Sequence, residues 1–256
     1  MNIKKKIKKI KYYYNWGARY LNDPFNLTVK ALSEKEIAKK PSRSEIINYL
    51  IDHLNRKAFY LEIGVRNPVD NYDKIKAETK YSVDPGIEFE ENPVDFKMTS
   101  DVFFDQLREG KILSKDLKFD VIFIDGLHLA EQVDRDITNA LDFIKDDGFI
   151  VLHDCNPPSE WHAREEHNYR ISPAEDYWNG TTWKAFYKWR CNPDVYSCCI
   201  DTDWGIGVIS KKINVGTHYS KNQNEFYDFN KLNEQKDLML NLISIKEFYK
   251  IINNQT

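Results

Sequence analysis

A chain of 256 residues with a formal net charge of −3 and a sequence pI near 6.1 is long enough for one sizeable core and too acidic for a dedicated nucleic-acid binder, so no nucleic acid is expected as a partner. Aromatic residues make up 14% of the chain, enough to furnish both a core and a site that stacks planar groups. The four cysteines, Cys155, Cys191, Cys198 and Cys199, form no C-x-x-C pair. With no signal peptide and no apolar run long enough to span a membrane, the expected location is a reducing cytoplasm.

The first residues, Met1 to Tyr14, interleave Lys4, Lys5, Lys6, Lys8, Lys9 and Lys11 with Ile3, Ile7, Ile10 and a tyrosine run. Such a basic amphipathic stretch reads as a solvated terminal helix or as a peripheral contact with the inner face of a membrane. Ser42-Arg43-Ser44-Glu45 has the form of a capping box and opens a helix whose inner side carries Ile46, Ile47, Leu50, Ile51 and Leu54. Strand Ala58–Ile63 follows, then a turn over Gly64–Asn71, strand Lys80–Asp84 and a third strand at Asp95–Met98, with Ser100 capping a helix through Leu107. Phe119–Asp125 and Phe149–His153 are almost wholly apolar, as strands buried on both faces of a parallel sheet are. Helix Ala130–Ile144 and the turn Asp146-Asp147-Gly148 lie between them. The polar run Asn156–Gly180 reads as a lid. A helix near Thr181–Trp189, an antiparallel edge hairpin (Val195–Ile200 and Gly205–Ile209) and one or two polar helices between Phe226 and Ile252 complete the chain.

The alternation of strands and helices predicts an α/β fold, a Rossmann-like doubly wound, mostly parallel sheet with an antiparallel edge hairpin and helical segments at both ends. Three segments are expected: a basic N-terminal stretch over 1–41, a cofactor-binding catalytic domain over 42–212 with its lid at 156–180, and a helical extension over 213–256. In such sheets ligands bind beyond the carboxyl ends of the strands. Glu62 and Gly64 stand at the end of the first strand, and Asp84 ends the next, 20 residues beyond Gly64. An acid at that distance hydrogen-bonds ribose hydroxyls in nucleotide-binding α/β folds. Arg66 and Asn67 occupy positions where a dinucleotide site needs glycine, so a cofactor without phosphates suits the turn better. S-adenosylmethionine is the candidate, with Glu62, Gly64, Asn67, Asp84, Ser100 and Asp101 around it and Asn71 as a further polar contact.

Glu62-x-Gly64, Asp84, Asp125-Gly126-x-His128 and His153-Asp154 together resemble class I S-adenosylmethionine-dependent methyltransferases. The nearest branch is the bacterial one whose fourth strand ends in Asp-Gly-x-His and whose fifth ends in His-Asp, similar to metal-dependent sugar O-methyltransferases. The family's glycine-rich turn is reduced here to Gly64. One imidazole and two carboxylates at adjacent strand ends suit a divalent metal. The resemblance implies Asp125 and Asp154 as ligands of Mg or Mn, His153 as a third, and His128 as the base beside Asp125. Within the lid, Trp161, His162, Trp178, Asn179 and Thr181 are candidates for gripping the acceptor, and His162 and His167 for completing a metal site.

The expected activity is metal-dependent O-methylation of a sugar hydroxyl, in a nucleotide-linked sugar destined for a bacterial surface polysaccharide. A second copy of the chain is a candidate partner. Two rivals remain at this stage: an Fe(II)-dependent hydroxylase on the same fold, and a non-catalytic binding module at the membrane.

Overall fold

The structure, a computed structural model, describes residues 3–89, 91, 93–168, 171–219 and 223–255. Two helices, α1 (Ile3–Leu21) and α2 (Pro24–Ile37), precede α3 (Arg43–His53), β1 (Phe59–Ile63) and β2 (Thr79–Val83). Then come α4 (Ser100–Arg108), β3 (Phe119–Ile124), α5 (Ala130–Phe143), β4 (Ile144–Leu152), α6 (Thr182–Arg190), β5 (Tyr196–Ile200) and β6 (Ile206–Ser210). The last elements are α7 (Phe229–Glu234), α8 (Lys236–Met239), β7 (Leu242–Ile243) and α9 (Ile245–Asn253).

The seven strands lie in the order β2-β1-β3-β4-β6-β5-β7, with β2, β1, β3 and β4 mutually parallel and β6 antiparallel to both β4 and β5. The chain runs outward from β1 to β2 and returns on the other side of β1 to β3, so the sheet reverses its winding between β1 and β3. Alternation along the central strands splits the core into two. Leu61, Ile63, Ile122, Ile124, Ile150 and Leu152 pack with Phe103, Phe104, Val133, Ile137, Trp183 and Phe186 of α4, α5 and α6. Tyr60, Val121, Phe123, Phe149 and Val151 face the other way, against Ile46, Ile47 and Leu50 of α3 and Phe248 and Ile252 of α9. Both faces of β3 are therefore dry, which is why its sequence is apolar without alternation. The capping box fixes the start of α3, where Glu45 Oε2 accepts from the Ser42 N–H at 2.8 Å and from its hydroxyl at 2.7 Å.

Several sequence expectations shift. The strand expected at Asp95–Met98 is reduced to a single parallel bridge between Val83 and Phe96. Asp95 Oδ2 accepts from the Ser82 N–H at 2.9 Å, taking a bond that a longer ladder would need. Asp146-Asp147-Gly148 is a bulge inside β4 rather than a turn before it, because pairing jumps from Phe119 with Ile144 to Val121 with Phe149. Gly148 permits this: a Cβ there would stand 2.7 Å from the Asp120 carbonyl oxygen. Thr99, not Ser100, caps α4, accepting from the Val102 N–H at 3.4 Å. The extension after residue 213 also contributes a strand, β7, parallel to β5.

Candidate active site

Gly64 follows β1 and Asp125 follows β3, so both stand at the carboxyl ends of the strands that flank the reversal. Gly64 has φ +89, and a Cβ there would overlap the Asp125 carbonyl oxygen and Gly126 Cα. Only glycine lets these two loops meet backbone to backbone. A cavity of about 550 Å³ opens beside them and runs along the rim from Asp84 to Asp154. Glu62, Gly64, Asn67, Asp84, Ser100, Asp125, His128, His153, Asp154 and Trp178, all singled out from the sequence, line it.

At one end of the cavity the side chains are hydrogen-bonded but not saturated. Glu62 is 3% exposed, and its Oε2 accepts from Tyr60 Oη at 2.6 Å and Asn71 Nδ2 at 2.9 Å. Burial raises its pKa to about 7 against the pull of Tyr60 and Asn71. Asn71 Oδ1 is buried with no partner, an acceptor left for a ligand donor. Asp84 Oδ1 holds the turn by accepting from the Gly86 N–H at 2.6 Å, while Asn67 Oδ1 accepts from the Val69 N–H at 3.3 Å. Ser100 donates to Asp136 Oδ1 at 2.6 Å, and burial raises the Asp136 pKa to about 6. Asp101 faces a separate recess with Asp105 and Arg135 and does not line the main cavity.

At the other end, donor atoms of Asp125, His128 and Asp154 come within 4.8 Å of one another. His128 Nε2 lies 3.3 Å from Asp125 Oδ1, and its Nδ1 lies 3.1 Å from the Trp178 carbonyl oxygen and 3.3 Å from Asp154 Oδ2. A carbonyl only accepts, so Nδ1 carries a proton, and Nε2 faces Asp125 with a lone pair or a second proton. Burial opposes charge on this ring, but Asp154 and Asp125 outweigh it and push the pKa up to about 9.

His153 is placed differently. Its Nδ1 lies 3.1 Å from Asp154 Oδ2 and 3.2 Å from Asp125 Oδ1, and its Nε2 lies 3.1 Å from Arg43 Nη1 and 3.2 Å from Asp203 Oδ1. If Nε2 accepts from Arg43, the neutral ring's proton is on Nδ1. If the ring is charged, Nδ1 carries a proton again. With Nδ1 protonated the ring donates to the two carboxylates and orients them, whereas with Nε2–H given to Asp203 it would present the Nδ1 lone pair beside both. Burial opposes charge here too, but Asp154 and Asp125 raise the pKa well above the ordinary value.

Arg43 and Asp203 were not foreseen. Arg43, in the first turn of α3, lies 3.7 Å from Asp125 and 3.5 Å from Asp203, and its N–H donates to Asp203 Oδ2 at 2.7 Å. Burial disfavours the charge, yet Asp125, Asp203, Asp154 and Glu62 keep Arg43 a cation. Burial likewise opposes ionisation of Asp125, but His153, His128 and Arg43 hold its pKa well below the usual range. Asp203 is lowered to about 2 by His153 and Arg43, again against burial. In the sequence Arg43 reads only as the second residue of a capping box and Asp203 only as a turn residue, so neither carries a signal.

Asp154 has φ +61, a conformation that non-glycine residues seldom adopt. Asn179 Nδ2 donates to its Oδ1 at 2.7 Å and helps fix it. Of the lid residues, His167, Asp176 and Trp178 reach the cavity, and the Trp178 ring stacks with those of His128 and His167 at centroid distances of 5.2 Å and 4.9 Å. Thr181 instead caps α5 by accepting from the Ala130 N–H at 2.7 Å. His162 is fully buried between Ser33 of α2 (2.9 Å) and Ser159 (2.8 Å), its pKa lowered to about 4 by burial. It fastens the lid to α2 and stands away from the cavity, as does Trp161.

Residues 50–155 match the family model of a methyltransferase domain. That segment, less than half of the chain, contains β1 to β4 and most of the cavity wall, and the mostly parallel sheet it builds is Rossmann-like. A search of curated proteins finds no match. Among solved structures the chain is similar to an O-methyltransferase from Bacillus cereus in complex with S-adenosylhomocysteine, at 15% identity over 74% of this chain and 92% of that one, with a TM-score of 0.40. It is similar to the O-methyltransferase TomG from Streptomyces achromogenes, involved in tomaymycin synthesis and bound to S-adenosylmethionine, at 11% identity over 82% and 99% with a TM-score of 0.44. It is also similar to the methyltransferase MycE of the mycinamycin biosynthetic pathway, in complex with Mg, S-adenosylhomocysteine and mycinamycin VI, at 12% identity over 77% and 57% with a TM-score of 0.41.

Proposed function

We propose that the protein is a metal-assisted, S-adenosylmethionine-dependent O-methyltransferase acting on a sugar with neighbouring hydroxyls, in a nucleotide-linked precursor of a surface polysaccharide. The observation that carries the reading is the single cavity that joins a phosphate-free nucleoside wall (Gly64, Asp84) to the Asp125-His128-Asp154 cluster. Asp84 would accept from the ribose hydroxyls, and Glu62 with Asn71 Oδ1 would receive the ammonium of the cofactor's amino acid end. Gly64 lets that end approach bare backbone. The cofactor supplies an electrophilic methyl group. Asp125 and Asp154 would hold a divalent cation, whose charge would lower the cost of ionising an acceptor hydroxyl.

The chain's own residues do the rest. His153 and Arg43 keep Asp125 ionised, and His153 and Asn179 orient Asp154 through hydrogen bonds. A cation held by Asp125 and Asp154 would cancel the field that raises the His128 pKa and leave Nε2 able to take the acceptor's proton, while its Nδ1–H stays tied to the Trp178 carbonyl. Trp178, His128 and His167 line the cavity together, and a wall of rings of this kind suits a sugar acceptor. Holding the acceptor oxygen in line with the methyl group supplies much of the rate.

The test is methyl transfer from labelled cofactor to a panel of nucleotide-linked sugars. Activity is expected to vanish in chelator and to return with Mg²⁺ or Mn²⁺. Full activity in chelator would overturn the metal assignment, and oxygen uptake without methyl transfer would point to the hydroxylase instead.

A further inference from the structure

We propose that α1 is an interfacial helix that lies flat on an anionic lipid surface. None of its residues is buried, although it is long, about 28 Å at 1.5 Å per residue. Ile3, Ile7, Ile10, Tyr14 and Leu21 fall on one stripe and are 60% to 75% exposed. A stripe of that kind normally faces a core. Here nothing among the described residues covers it.

The charge says what does. Ile3–Leu21 contains no Asp or Glu and seven cations: Lys4, Lys5, Lys6, Lys8, Lys9, Lys11 and Arg19. The whole chain has a formal charge of −3 and α1 alone carries +7, so the remaining residues carry −10. A second copy of α1 laid on the stripe would bring two such charge sets together, which argues against self-association. Nucleic acid would match the charge and leave the isoleucines in water. An acidic groove on a protein would cover the stripe and its flanks (Lys4, Lys6, Lys11) but leave Lys5, Lys8, Lys9 and Arg19 on the far side without a role.

A charged membrane uses all of them. Its surface potential extends about one Debye length, ~10 Å in 0.1 M salt, which is close to a helix diameter. The flanking lysines snorkel while the isoleucines enter the acyl boundary. Tyr13 and Tyr20 fall on the flank of the stripe, where their rings suit the headgroup region. The helix does not cross the bilayer, since no helix among the described residues is long and apolar enough. The inference stands apart from the proposed chemistry, because no residue of α1 lines the cavity.

The experiment is sedimentation of the full chain with vesicles of phosphatidylcholine alone or with about a third phosphatidylglycerol. Binding is expected only to the anionic vesicles at low salt, and to be lost at high salt. Ile7→Asn with Ile10→Asn keeps the charge and should abolish binding. Lys5→Gln with Lys8→Gln and Lys9→Gln keeps the stripe and should weaken binding by on the order of a hundredfold. All five positions are exposed, so the melting temperature should not move. Equal binding to neutral vesicles, no binding to either, or full binding by either variant would overturn the proposal. A dimer in sedimentation equilibrium that Ile7→Asn with Ile10→Asn dissolves would assign the stripe to a second copy.

Discussion

Replacing Glu62 by Gln tests the cofactor wall through its titration. The carboxylate is 3% exposed, and burial raises its pKa from 4.5 to about 7. That span corresponds to about 3 kcal/mol. A raised carboxyl pKa means that the folded chain holds the proton more tightly than the unfolded chain. Glu62 therefore contributes most to stability below pH 4.5, and that contribution falls away as the pH rises through about 7. Glutamine does not titrate, and its carbonyl oxygen can still accept from Tyr60 and Asn71. Urea unfolding in chelator should show the variant gaining about 3 kcal/mol on the natural protein between acid and mildly basic pH. Binding should change in the opposite sense. An ammonium beside Glu62 favours the carboxylate, so the natural protein should bind S-adenosylhomocysteine more tightly as the pH rises toward 7, releasing a proton. The variant should bind weakly and lack that pH dependence. A stability difference that stays constant with pH would refute the buried-carboxylate argument, and an unchanged pH dependence of binding would refute the ammonium contact.

Three further outcomes follow from the geometry. Asp84→Ala removes a charged acceptor for ribose, and calorimetry should show S-adenosylhomocysteine binding weakened about 10- to 100-fold with the melting temperature little changed. Gly64→Ala forces a Cβ into the Asp125 carbonyl and Gly126 at a positive φ, so unfolding should become easier by about 2 kcal/mol or more, with cofactor affinity lost. Asp120 is fully buried at the opposite end of β3, accepting from Arg56, Lys145 and the Phe59 N–H. Its Ala variant should lose about 3 kcal/mol in denaturant titration while cofactor affinity in the remaining folded protein stays the same.

Much of this architecture is legible in the sequence because the central strands are buried on both faces, and a run such as Phe119–Ile124 has no other use. The residues placed at strand ends from the apolar pattern, Glu62, Asp84, Asp125, His153 and Asp154, come to one cavity because a parallel sheet puts those ends on one rim. What was not legible depended on tertiary meetings. Arg43 enters from a helix that only seems to pack a core, and Asp203 from a hairpin turn. Asp146-Asp147-Gly148 has turn composition, yet β4 absorbs it as a bulge because Gly148 can press against the Asp120 carbonyl. Lid residues had no periodicity to place them, so Trp178 at the cavity and His162 in the packing against α2 looked alike.

Arg43 and Asp203 stand 160 positions apart, on either side of the segment that matches the methyltransferase family. Hydrogen-bonded across that distance, they enclose the carboxylates supplied by the segment between them. The recognisable portion of the chain is thus not the working unit. A chimera that inherits residues 50–155 alone would receive Gly64, Asp84 and the acidic cluster without the counter-charge of Arg43. Recombination or engineering within such enzymes would have to move α3 and the β5–β6 turn together with the matched segment, as one inheritance.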